Sequence, residues 1–176
     1  MNFFTADQHF GHENIVRYCG RPFKNAHQMD KVLIERYNAV VAPTDTCYFL
    51  GDFSMSGNPE VIEKYVRKLN GTKILILGNH DRLKPFIYVD IGFQSVHTAV
   101  DVLLSSLVYI KTEVRCVHDP APACSTRYHR HWLVGHVHGL FKNLDRGRVT
   151  NVGVDVWDFT PVSQDQLYDY WKELLS

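Results

Sequence analysis

One pattern occurs five times in this 176-residue sequence: a short apolar segment ends and a polar cluster of Asp, Asn, His or Gly begins at once. Side chains with chemical roles in α/β sheets collect just beyond the carboxyl ends of the strands. Clusters that are far apart in sequence can therefore meet at one edge of a folded sheet. The polar residues that follow the apolar segments are Asp7 and His9, Asp52, Asn79 and His80, His118, and His136 and His138.

Apolar segments and helical patterns alternate in the first half of the chain, which favours an α/β fold. The predicted strands there are Asn2–Ala6, Cys47–Leu50 and Lys73–Leu77. The predicted helices start near Asn14, at Gln28 and at Pro59. In the second half, strand-like pieces cluster between Phe93 and Val117 and at Trp132–Val134. Val149–Val156 is predicted as the last strand. Ser163 with Gln166 forms a capping box for a terminal helix. We expect a single α/β domain over residues 1–176, with one or two sheets covered by helices.

The composition excludes several classes of protein. Lys plus Arg and Asp plus Glu are both 19, and this balance argues against a protein whose main role is coating nucleic acid. No window of about 20 apolar residues is present to span a membrane, and the start of the sequence lacks the pattern of a signal peptide. The four cysteines form no CxxC pair, which favours free thiols. We therefore expect a cytoplasmic protein with no membrane and no stable nucleic-acid partner.

The residue types in the clusters indicate a metal site. Asp, Asn and His offer oxygen and imidazole donors suited to Mn, Fe, Zn or Ni, and the clusters contain no Cys. The candidates suffice for two divalent metal ions if one carboxylate bridges them, and His136 and His138 would share one face of a strand. Two ions can clamp the attacking and the leaving oxygen of a phosphate ester. The candidate metal ligands are Asp7, His9, Asp52, Asn79, His118, His136 and His138.

In this order the motifs resemble those of the calcineurin-like metallophosphoesterase family. The matching motifs are Asp7-x-His9, Gly51-Asp52, Gly78-Asn79-His80-Asp81, His118 and Gly135-His136-x-His138. Three further segments resemble the small bacterial and phage branch of that family: Gly11-His12-x-Asn14-Ile15, Arg21-Pro22-Phe23 and Asn151-Val-Gly-Val-Asp155. The resemblance implies a four-layer αββα sandwich with a dimetal centre at the strand ends.

The resemblance also implies a role for each matching residue. Asp7, His9 and His138 would bind the first metal, and Asn79, His118 and His136 would bind the second. Asp52 would bridge the two ions together with a hydroxide that attacks the phosphorus in line. His80 would lie beside the ions as a catalytic residue that helps the leaving oxygen depart or stabilises charge on the phosphoryl group.

The residues that contact the substrate are less constrained by the sequence. His12 lies near a predicted helix N-terminus, where it either contacts a phosphate or makes a structural hydrogen bond. Arg21, Arg127 and Arg130 are candidate phosphate clamps, although surface arginines are more common.

The expected function is hydrolysis of a small or nucleotide-like phosphodiester or phosphomonoester. The alternative is a non-catalytic scaffold on the same fold that binds proteins. A complete set of buried Asp and His residues would be costly to keep without metal, and this disfavours the scaffold. The sequence leaves the oligomeric state open.

Overall fold

The computed structural model describes residues 1–105, 111–125 and 131–176, which form a mixed α/β fold with two mixed five-stranded sheets. The strands are β1 (Asn2–Thr5), β2 (Thr46–Leu50), β3 (Thr72–Ile76), β4 (Ser95–His97), β5 (Ala99–Leu104), β6 (Thr112–Val117), β7 (His131–Val134), β8 (Asn143–Leu144), β9 (Val149–Asn151) and β10 (Val162–Ser163). The helices are α1 (Glu13–Tyr18), α2 (Ala26–Val40), α3 (Pro59–Val66), α4 (Pro85–Asp90), α5 (Ala121–Ser125) and α6 (Gln164–Leu175).

The first sheet has the strand order β10-β1-β2-β3-β4. Its strands β1 to β4 run parallel, and β10 pairs antiparallel with β1. Parallel neighbours need crossover connections, which the helices α1 to α4 supply. The carboxyl ends of β1, β2 and β3 consequently lie side by side at one edge of the sheet.

The second sheet has the order β5-β6-β7-β9-β8, in which β6, β7 and β9 run parallel. Its two outer pairs, β5 with β6 and β8 with β9, are antiparallel. The carboxyl ends of β6 and β7 are therefore also neighbours.

Alternating side chains of the strands fill separate cores. Phe3 belongs to a core with the apolar faces of α2 and α3, whereas Phe4 belongs to the core between the two sheets. A third cluster covers the opposite face of the second sheet, where Trp132 packs with Ala123 of α5. The terminal helix α6 begins at the predicted capping box of Ser163 and Gln166 and packs into the core between the sheets.

The prediction of a last strand over Val149–Val156 is confirmed for Val149–Asn151 and wrong for the residues that follow. The strand β9 ends at Asn151, and Val154–Val156 forms a 3-10 turn. The chain leaves the second sheet here and reaches the first, because Val154 N donates to Ala6 O at 3.0 Å. This crossing brings Asp155 close to the ends of β1 and β7. The helices α4 and α5 and the strands β8 and β10 were not predicted.

None of the helices in the described ranges combines the length and the hydropathy that a membrane crossing requires.

Candidate metal centre

The seven predicted ligands lie in the segments that follow five strands: β1, β2 and β3 of the first sheet and β6 and β7 of the second. The segments after β1 and β2 are hydrogen-bonded to each other, since Asp7 N donates to Gly51 O and His9 N to Asp52 O, both at 3.0 Å. The two sheets are joined at the same place, because His136 N donates to the Asp7 carboxylate at 2.9 and 3.1 Å.

The first of two groups of donors consists of Asp7, His9 and His138, whose ligand atoms all lie within 4.8 Å of one another. Both ring nitrogens of His9 are buried and have no hydrogen-bond partner. Burial lowers the pKa of His9 to about 2 and raises the pKa of Asp7 to about 7. His9 is therefore neutral, which is the form that binds a metal ion.

The ring of His138 is held by a carboxylate that the sequence analysis assigned no role. Nδ1 of His138 lies 2.9 Å from Oδ2 of Asp155. Burial opposes the charge of Asp155, but the contacts with His138 and Arg21 outweigh it and lower its pKa. An ionised carboxylate only accepts hydrogen bonds, so Nδ1 of His138 is the donor and Nε2 is left for an ion.

Arg21 does not face a substrate in this structure, contrary to the prediction. Its side chain is fully buried, and its guanidinium forms a bidentate pair with Asp155 at 2.8 Å for both contacts. It also donates to the backbone carbonyls of Asp7 at 2.7 Å and Gln8 at 3.0 Å. Arg21 thus ties the segment after β1 to the segment that carries Asp155.

The second group of donors contains Asp52, His118 and His136, and Asn79 lies among them. Nδ1 of His118 donates to the carbonyl of Leu50 at 2.7 Å, so its Nε2 carries no proton when the ring is neutral. That Nε2 lies 3.0 Å from Oδ1 of Asn79 and 3.2 Å from Nδ1 of His136. Oδ1 of Asn79 is also 3.0 Å from Nδ1 of His136.

Asp52 lies between the two groups. Its Oδ2 is 3.6 Å from Nε2 of His9 in the first group and 3.5 Å from Nε2 of His118 in the second. Its Oδ1 accepts a hydrogen bond from the backbone N of His80 at 2.9 Å, which fixes the carboxylate. The carboxylate is therefore placed to be shared by two ions.

These contacts fit two divalent cations. Donor atoms that share an ion at about 2.0–2.2 Å lie roughly 3–3.6 Å apart, which is the spacing found around Asp52, His118 and Asn79. Oδ1 of Asn79 and Nε2 of His118 are both acceptors. Nδ1 of His136 lies near both of them and can donate a hydrogen bond to only one. A cation satisfies all of them together.

The backbone is strained at most of these residues. Asp7, His9, Asp52, His136 and His138 have φ angles of 61°, 52°, 54°, 71° and 47°. Residues other than glycine rarely adopt positive φ, and such strain clusters at functional sites. The assignment of His136 and His138 to one face of a strand is wrong, because positive φ angles place them in a turn after β7. Each of them joins a different group of donors.

Gly78 shows how closely the chain approaches the carboxylate of Asp52. A Cβ atom at this position would collide with Oδ1 of Asp52 and would lie 2.5 Å from its backbone N. The neighbouring Asp81 is not placed as a ligand, because its carboxylate accepts from the backbone N of Asp52 at 2.8 Å, Phe53 at 3.1 Å and Gly78 at 2.9 Å.

His80 and His12 lie beside the donors. Nε2 of His80 is 4.0 Å from Oδ2 of Asp52, and its side chain is 32% exposed, so it can reach a bound molecule. The ring of His12 lies 5.6 Å from the ring of His9, and its Nδ1 is buried without a hydrogen-bond partner. Burial and the charge of His80 lower the pKa of His12. The predicted clamps Arg127 and Arg130 fall outside the described residues.

Comparison with known proteins gives relatives along nearly the whole chain, although no protein-family profile matches. The sequence is 29% identical to the Gene 66 protein of Mycobacterium phage L5 over 192 residues, covering 94% of this chain and 91% of that protein. The fold matches the crystal structure of the protein of unknown function AQ665 from Aquifex aeolicus, with a TM-score of 0.74, 26% identity and coverage of 96% of this chain and 98% of that one.

A third relative is the uncharacterized protein MJ1445 of Methanocaldococcus jannaschii, to which the chain is 31% identical over 170 residues. The match covers 93% of this chain and 86% of that protein. The chain therefore belongs to the same protein family as MJ1445.

Proposed function

We propose that this protein is a two-metal phosphoesterase of the calcineurin-like metallophosphoesterase type. The observation that supports it best is the position of Asp52, whose Oδ2 lies between His9 and His118 of two separate groups of donors. The two packed sheets, with helices on the outer face of the first and α5 on the outer face of the second, are compatible with a four-layer αββα sandwich.

In the proposed assignment, Asp7, His9 and His138 hold the first ion, and Asn79, His118 and His136 hold the second. Asp52 serves both. Two bound cations would neutralise the phosphoryl oxygens and activate water as the nucleophile. The nitrogen and oxygen donors suit Mn, Fe, Zn or Ni.

The protein contributes positioning and proton transfer. His80 is partly exposed and its Nε2 lies 4.0 Å from Oδ2 of Asp52, so its imidazole can donate a proton to a leaving oxygen or a hydrogen bond to a phosphoryl oxygen. His12 has an unpartnered ring nitrogen close to His9 and is the residue we propose for a second contact with the phosphate. We do not propose Arg21 as a contact with the phosphate, because its side chain is buried and paired with Asp155.

The proposed substrate is a small phosphodiester or phosphomonoester. We propose that the protein has no stable nucleic-acid partner, since its formal charge is balanced. We also propose that it does not act at a membrane. The rival function, a protein-binding scaffold that has lost catalysis, does not account for the unpartnered nitrogens of His9.

The test is a hydrolysis screen of nucleotide and nitrophenyl monoesters and diesters with Mn, Fe, Ni, Zn or Mg added to metal-free protein. We expect metal-dependent turnover that Asp52→Asn abolishes and that Asp90→Asn on the exposed end of α4 leaves unchanged. Binding of metal without hydrolysis of any ester would favour the scaffold.

A further inference from the structure

A cleft of about 400 Å³ opens beside the second group of donors. Asn79, His118 and His136 belong to its lining, so a group in the cleft can be linked by an ester bond to a phosphate at the proposed metal centre. The volume lies within the range of small-molecule pockets and exceeds what a phosphate needs. The cleft therefore has room for the part of a substrate that does not react.

The walls of this cleft are largely apolar. Ala99 and Val117 face each other across β5 and β6, and Trp132 of β7 and Pro122 of α5 continue the surface. An organic group covered by these side chains would lose apolar surface to water, which favours binding by about 25 cal/mol for each Å².

The charges around the cleft are unfavourable to a second phosphate. Arg115 pairs with Asp101 at 2.6 Å, so its positive charge is already compensated. Asp119, which also lines the cleft, adds a carboxylate. The negative charge of a pyrophosphate or an acidic phosphopeptide in the cleft would be repelled by the carboxylate of Asp119. Among the described lining residues, no unpaired cation compensates this repulsion. A neutral group carries no such cost.

We propose that the cleft binds an uncharged organic group of about nucleoside size, linked through an ester to the phosphate at the metal centre. This inference rests on the proposed function and adds the place and the chemical class of the substrate's organic part. The metal centre takes the phosphate of any ester, and the cleft selects esters by the group attached to it.

The test compares three ligands by calorimetry on the metal-loaded protein: inorganic phosphate, pyrophosphate and a non-hydrolysable phosphonate analogue of the nucleotide thymidine 5′-monophosphate. We expect the nucleotide analogue to bind roughly tenfold more tightly than phosphate, and pyrophosphate to gain no such advantage. Two separate variants, Ala99→Phe on β5 and Pro122→Phe on α5, place a bulky side chain in the cleft. Each should remove most of the nucleotide analogue's advantage and leave the affinity for phosphate unchanged.

Ala39→Phe is the matched control, because Ala39 is exposed on α2, which packs against the other sheet. It should keep the full advantage of the nucleotide analogue. Equal binding of nucleotide analogue and phosphate by the unmodified protein, or an advantage that survives both cleft-filling variants, would overturn the inference while leaving the phosphoesterase intact. Failure of all three ligands to bind would instead overturn the proposed function, and this inference with it.

Discussion

Oδ2 of Asp155 lies 2.9 Å from Nδ1 of His138, and this contact sets which nitrogen of His138 is left for the proposed metal ion. We expect Asp155→Asn to weaken metal binding by the first group by about 10–100-fold, because the carboxylate orients the ring and increases its basicity. The second group has no contact with Asp155 among its described bonds, so its ion should remain. Calorimetric titration of metal-free protein separates the two affinities.

Asp90→Asn on the surface of α4 controls for the loss of one negative charge. Equal weakening of both ions in Asp155→Asn would show that Asp155 supports the fold in general. Restoration of tight binding by Asp155→Glu would support a positioning role.

Arg21 should be essential for stability, not for substrate affinity. Arg21→Ala leaves the carbonyl of Asp7 without this donor and leaves the buried carboxylate of Asp155 with His138 but without its bidentate partner. We expect it to lower the free energy of unfolding by about 3–5 kcal/mol, whereas Arg17→Ala on the exposed face of α1 should have little effect. Urea denaturation measures both. A tenfold rise in KM at unchanged stability would instead restore Arg21 as a substrate contact.

Asp52→Asn should be the most damaging change of any single ligand. The carboxylate is within 3.6 Å of His9 and 3.5 Å of His118, and its charge offsets the repulsion between two cations. We expect a loss of about 10³-fold in kcat/KM at saturating metal. If Asp52→Asn turned over normally while His136→Ala was inactive, Asp52 would not be the bridge.

His80→Asn should lower kcat by about 10²–10⁴-fold while both metals stay bound, because the ring lies beside the donors and not among them. The loss should be smaller with a nitrophenolate leaving group, which needs little protonation, than with an alkyl or ribose group. The control is His27→Asn on the exposed side of α2.

The metal content of His80→Asn is measured, and its kcat is measured on one substrate with a nitrophenolate leaving group and one with an alkyl or ribose leaving group. Loss of an ion would make His80 a ligand. Equal losses on both substrates would make it a stabiliser of the phosphoryl oxygens and not a proton donor.

The sequence predicted that the candidate ligands would lie together, but it did not predict the contacts around them. A strand followed by Asp, Asn or His is a local pattern that the sequence shows directly. Parallel pairing of β1, β2 and β3 brings the ends of these strands together. The proximity of Asp7, Asp52 and Asn79 could therefore be predicted. Parallel pairing of β6 and β7 does the same for the histidines that follow them.

The contacts behind the ligands could not be predicted in the same way. Arg21 and Asp155 are separated by 134 positions, and nothing in either segment indicates the other. The segment before Asp155 is apolar and read as a strand, but its backbone bonds to Ala6 turn it away from the second sheet. The only local signal was the Asn151-Val-Gly-Val-Asp155 motif, which gave a resemblance without a role.

The most direct test of the account is the number of ions that each chain binds. Metal-free protein is reconstituted with Mn, Zn or Ni, freed of excess metal and measured by elemental analysis together with protein concentration. The account predicts two ions per chain in the unmodified protein and one in His9→Ala, which removes the ring with two buried, unpartnered nitrogens. A fully reconstituted protein that holds at most one ion would contradict the two-metal centre.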